Sequence, residues 1–90
     1  MAADEQSGSL KPVTPSRVAD ELRKLSALRQ NGEIKPDEYE HRFARMIGEL
    51  RDRRIDGSRA EILATLTPLL EQGVVTAEDW RRLTRQLGLA

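Results

Sequence analysis

The sequence predicts an all-α fold, two αα-hairpins forming a small bundle of about four helices. Three observations predict it. Apolar residues recur three or four apart through most of the chain, the period of a helix face. Glycines stand where those runs stop, and prolines or hydroxyl residues stand where they start. A pattern of leucines, glycine, apolar elbow residue, acid and aromatic also occurs twice, 41 residues apart.

Residues 1–13 include Ser7-Gly8-Ser9 and few large apolar side chains, so they are expected to be a disordered arm. Residues 14–90 are expected to form a single domain, with hairpin one at 14–55 and hairpin two at 58–88. Thr14 and Pro15 open the first helix as N-cap and first-turn proline, where a missing N–H costs nothing. Val18, Leu22, Leu25 and Leu28 or Arg29 mark its apolar face, opposite Asp20, Glu21, Arg23 and Lys24. Gly32 is a left-handed stop. Ile34 plugs the elbow, Pro36 restarts the helix, and Asp37 and Glu38 suit its positive end. Tyr39, Phe43, Met46, Ile47 and Leu50 form the second buried stripe, and Arg51-Asp52-Arg53-Arg54 is the solvated end of that helix.

Asp56-Gly57 is a turn signal, and Ser58 with Glu61 matches a capping box. The third helix buries Ile62, Leu63, Leu66, Leu69 and Leu70. Pro68 is expected to kink it, or to split it with Thr67 as a fresh N-cap. Gly73 ends it and Thr76 caps a fourth helix with Trp80, Leu83 and Leu87 on its face. Gly88 is expected to fray the end.

Ninety residues suit one small domain, and with 3% aromatic residues its core must come from Leu, Ile and Val. A chain this short has little stability to spare, which oligomerisation often supplies. The 15 basic and 15 acidic side chains balance, which argues against a general phosphate-binding surface. Disulfides and thiolate metal sites are excluded because there is no cysteine. No apolar run approaches a membrane span, and the first residues are polar and acidic rather than a secretory signal. The expected location is cytoplasmic, with no membrane partner.

In the repeat, Leu22, Leu25 and Leu28 overlay Leu63, Leu66 and Leu69, and Gly32 overlays Gly73. Ile34 falls on Val75, Glu38 on Asp79, Tyr39 on Trp80 and Met46 on Leu87, while Pro36 meets Ala77 and Phe43 meets Thr84. The agreement lies where geometry dictates the residue type. Residues 22–47 resemble the bacterial helical-hairpin family SHOCT, the short C-terminal domain, whose elbow is G-x-I-[ST]-x-x-E-[FY]. Leu22, Leu25, Leu28, Gly32, Ile34, Glu38 and Tyr39 carry that resemblance, and Lys35 departs from the Ser or Thr cap. The second copy, residues 63–87, has the cap as Thr76 but places Asp79 and Trp80 where Glu and Phe or Tyr are usual. The resemblance implies a hairpin that makes contacts or oligomerises, and it carries no catalytic residues.

Nothing in the residues assembles into a catalytic or metal site. The one histidine, His41, has Asp37 and Arg45 one turn away on its own helix and fits a solvated side chain. Glu38 and Asp79 stand in first turns, where the helix end lowers their proton affinity, so they suit capping rather than acid catalysis. Tyr39 and Trp80 are expected to face inward after their elbows and clamp the hairpins, the alternative being that Trp80 is exposed as a binding anchor. The expectation is therefore a non-catalytic protein without cofactor, metal or small-molecule substrate.

The leading expectation is a small bacterial protein–protein interaction or oligomerisation module, an adaptor or regulator whose partner is itself or another protein. Its surface would be the apolar stripe left open by folding, with Leu28, Ile34, Ile47 and Leu50 in hairpin one and Leu70, Val74 and Leu89 in hairpin two as candidates. The alternative is a regulator that binds nucleic acid or the transcription machinery. Residues 66–72 and 77–87 would form a helix-turn-helix, with Arg81, Arg82 and Arg85 joined by Arg51, Arg53 and Arg54. Glu78 and Asp79 oppose that reading at the end of the helix that would meet the bases.

Overall fold

Residues 11–90 are described by a computed structural model, and residues 1–10, most of the arm expected to be disordered, lie outside the described residues. Four helices succeed one another: α1 (Pro15–Gln30), α2 (Pro36–Arg53), α3 (Arg59–Glu71) and α4 (Ala77–Gln86). Their starts obey the cap chemistry of the sequence. Thr14 accepts a hydrogen bond from the Arg17 N–H, and Thr76 accepts one from the Asp79 N–H. Ser58 and Glu61 complete a reciprocal capping box at α3. Lys35 makes no side-chain cap, so α2 starts on Pro36 with Asp37 and Glu38 in its first turn.

The two elbows are built alike. Gly32 (φ +75°) and Gly73 (φ +77°) both lie in the left-handed region. Gly32 N–H donates to the Arg29 carbonyl and Glu33 N–H to the Leu28 carbonyl; one repeat later, Gly73 donates to Leu70 and Val74 to Leu69. This crossed pair closes the helix end, and a residue with a Cβ is strained there by roughly 1–2 kcal/mol. Ile34 and Val75 then turn into the core.

Hairpin one lies against hairpin two through equivalent helices, α1 on α3 and α2 on α4, while α1 and α2 also pack on each other. Val18, Phe43, Leu66, Leu69, Val75 and Leu83 are the fully enclosed centre. A single chain therefore covers the stripes that either hairpin alone would leave open.

Several expectations change. α3 runs unbroken through Pro68, and Thr67 does not restart a helix but donates its hydroxyl to the Leu63 carbonyl. Ile62, Leu66 and Leu69 stay on one buried face across the proline. Ala64, whose carbonyl would have paired with residue 68, is exposed, so water can take the missing donor's place. The C-terminus does not fray at Gly88, because Leu89 N–H donates to the Thr84 carbonyl at 2.7 Å and the Leu89 side chain is buried.

Val13, expected in the disordered arm, is buried and forms a parallel bridge with Ile55. Val13 N–H donates to the Arg54 carbonyl and Asp56 N–H donates to the Val13 carbonyl. Arg54 meets that bridge at φ 71°, ψ 152°. This conformation is otherwise almost confined to glycine and costs on the order of 1–3 kcal/mol.

Candidate functional site

Two features stand out once the core is in place. The first is a polar cluster between the hairpins. Tyr39, in the first turn of α2, donates its hydroxyl to Asp79 Oδ2 at 2.9 Å, reaching the first turn of α4. Arg82 lies one turn along α4 and forms a two-pronged pair with Glu40 at 2.9 Å for each bond, with Asp79 Oδ1 at 3.5 Å. The aromatic rings join the same assembly. Tyr39 stacks on Phe43 with ring centres 5.9 Å apart, the Arg29 guanidinium sits over Tyr39, and the Arg82 guanidinium sits over Phe43.

These placements set the local acidities. Burial, then the hydrogen bond to Asp79, pushes the Tyr39 phenol up to about 12. The hydrogen bond from Arg82 holds the exposed Glu40 carboxyl below its usual range, and the same bond raises the guanidinium further. A phenol that keeps its proton so firmly fits a fixed donor joining two hairpins better than a general base at neutral pH.

The second feature is an open groove of about 900 Å³ between α1 and α2. Val18, Leu25, Leu28, Met46 and Leu50 line its apolar floor, and Val13 lines it as well. Its α1 rim carries Arg17, Glu21 and Lys24. The α2 rim carries Asp37, Glu38, His41, Arg42, Arg45, Glu49 and Arg53. Leu28 and Met46 are half-buried, so they offer most of the apolar surface that a visitor could still cover.

No family model matches the chain, and no curated protein or solved structure matches it.

Of the seven apolar residues expected to form a binding surface, Ile34, Ile47, Leu50 and Leu89 are buried within the chain's own core. Their burial corrects the expectation that they stay open, although Leu50 still borders the floor of the groove. Leu28, Leu70 and Val74 keep part of their surface, and of these Leu28 lines the groove. The six arginines of the alternative reading are scattered and partly engaged. Arg82 is held by Glu40 and Asp79, and Arg53 donates to the Lys11 carbonyl. Arg51 donates to Gln86 and, with Arg54, lines a separate depression beside Ile55, Ile62 and Leu87. Arg81 and Arg85 are exposed on α4.

Trp80 is half-buried rather than enclosed, and Asp79 takes the inward place beside Leu83. The Tyr39 hydroxyl and Arg82 supply the partners that let a carboxylate sit there. The two copies thus part ways at this point. Tyr39 reaches Asp79 across the hairpins, whereas Glu38, the counterpart of Asp79, pairs with Arg42 on its own helix at 2.8 Å.

His41 is exposed on the α2 rim. Among the described residues, no group of three or more His, Asp or Glu could hold a metal ion, and no helix is long and apolar enough to cross a membrane. The sequence suited Asp79 to capping, offered Arg82 only as an alternative contact to nucleic acid, and gave Glu40 no role. Their partners lie 40 and 42 positions away, beyond the reach of local pattern.

Proposed function

We propose that the protein is a non-catalytic interaction module, an adaptor or regulator of the SHOCT-like hairpin kind, that receives a segment of a protein partner in the α1/α2 groove. The observation that carries this reading is the groove itself. It has an apolar floor with Leu28 and Met46 still half-open, it is bounded by charged rims, and it lies between two helices whose other faces meet the rest of the core. An apolar centre inside a polar rim is the usual anatomy of a protein interface. The polar cluster supports the reading in another way. It fastens α2 to α4, so the groove is carried on a rigid base. The nucleic-acid alternative gains no comparable support, because Arg82 and Arg53 are already engaged inside the chain.

Site-specific photocrosslinking in the source cell tests the reading. A photoreactive residue at Met46 or Leu28 is expected to capture protein partners, and the same residue at Arg81 is not. Capture from Arg81 and Arg85 alone, or capture of nucleic acid, contradicts it.

A further inference from the structure

Building on the groove reading, we propose that the occupant of the α1/α2 groove is an acidic amphipathic helix of a partner protein. Its apolar stripe rests on Leu28 and Met46, and its carboxylates face Lys24 and Arg45.

The walls dictate the form of the occupant. Two helices lying side by side present side-chain ridges and keep their backbone donors and acceptors to themselves, so the matching ligand is a third helix laid along the valley. The dimensions agree. From Asp37 to Arg53 the α2 rim runs about 24 Å at the helical rise. A helix about 10 Å across and about 24 Å long encloses about 1,900 Å³. The groove, about 900 Å³, is smaller than that, so such a helix keeps its outer face in water.

The charge of the occupant depends on which rim charges are already answered. Arg42 pairs with Glu38 at 2.8 Å, and Arg17 lies 3.8 Å from Glu21. Asp37 sits in the first turn of α2, where the helix end answers it. Arg53 sits in the last turn, where the opposite helix end answers it, and its Nε–H donates to the Lys11 carbonyl. Lys24 and Arg45 form no ion pair among the described residues, and Glu49 stands unpaired against them. The two cations flank the floor from both rims. A partner with acids beside its apolar stripe answers them, and a basic partner is repelled.

The test uses the full chain, isotope-labelled for NMR, and one designed four-turn amphipathic peptide in three versions. The apolar stripe is the same in each, flanked by Glu, Gln or Lys. The Glu version is expected to bind about tenfold or more tighter than the Gln version, with the Lys version weakest. Shifts should centre on α1 and α2, and the double substitution Lys24→Glu with Arg45→Glu should reverse the order. Equal binding of the Glu and Gln versions in the groove overturns the acidic partner while leaving the groove reading intact. If no version perturbs Leu28 or Met46, both fall. Shifts at Lys24 and Arg45 on adding duplex DNA, with no response to peptide, reassign the surface to nucleic acid and overturn the proposal.

Discussion

Replacing Tyr39 with Phe removes one oxygen from the contact that ties α2 to α4. The ring keeps its stacking on Phe43 and its place under Arg29, so the substitution isolates the hydrogen bond. That bond ends on a carboxylate at 2.9 Å, and hydrogen bonds to charged groups are worth roughly 1.5–3 kcal/mol. Asp79 retains only the longer 3.5 Å approach of Arg82, and its side chain is 11% exposed, so water replaces the phenol incompletely. Tyr39→Phe is therefore expected to cost about 2 kcal/mol. Urea unfolding followed by helical circular dichroism and by the fluorescence of Trp80, the one tryptophan, measures it. The midpoint should fall while the slope stays constant, because the surface exposed on unfolding is unchanged. In a cycle with Asp79→Ala, the double variant should lose clearly less than the sum of the singles, with about 1–2 kcal/mol of coupling. A Phe variant within about 0.5 kcal/mol of the parent, or a strictly additive cycle, refutes the reasoning.

The same contact should show in the titration of Tyr39, the one tyrosine of the chain. Unfolded tyrosine ionises near 10 and the folded phenol at about 12, so its contribution to stability is complete below pH 10 and is lost as pH rises toward 12. Tyrosinate absorbance with a midpoint near 10 in the folded protein contradicts this. Arg54→Gly relieves the φ 71° backbone and should stabilise the chain by about 0.5–1 kcal/mol after the entropy of glycine is subtracted, again by urea unfolding; a loss shows that the Arg54 side chain matters more than its backbone. Gly32→Ala and Gly73→Ala each place a Cβ in open space, so only backbone strain remains, and each should cost about 1–2 kcal/mol with near-additivity in the double variant. Unequal costs would mean that the elbows are not built alike.

The elements legible in the sequence are those set by local backbone chemistry. Pro15, Pro36, Ser58 and Thr76 start helices where expected, and Gly32 and Gly73 end them, because caps depend on residues within one turn. The stripes were legible as well, with Tyr39, Phe43, Ile47, Leu50, Leu66, Leu69 and Leu83 all buried. Three things were not. Asp79 satisfies the local rule for an acid in a first turn, which hid its bond to a phenol 40 positions away. Trp80 occupies the repeat position of Tyr39, but the repeat says nothing about which copy's neighbour turns inward. Val13 carries no helical period, so its pairing with Ile55 had no signal to show it. Of the candidate surface, only Leu28 and the buried floor residue Leu50 were legible. Choosing the open side of an apolar stripe requires knowing how the two hairpins face each other, and that is a property of the whole chain rather than of either copy.

Isotope-filtered NOE spectroscopy on a mixture of labelled and unlabelled chains tests the central claim most directly, namely that the hairpins close on each other within one chain and leave the α1/α2 groove as the open face. The Tyr39 ring should show contacts to Asp79, and the Phe43 ring to Arg82, within labelled chains only. Those same contacts appearing between labelled and unlabelled chains would show that the hairpins pair across two copies, and would contradict the account.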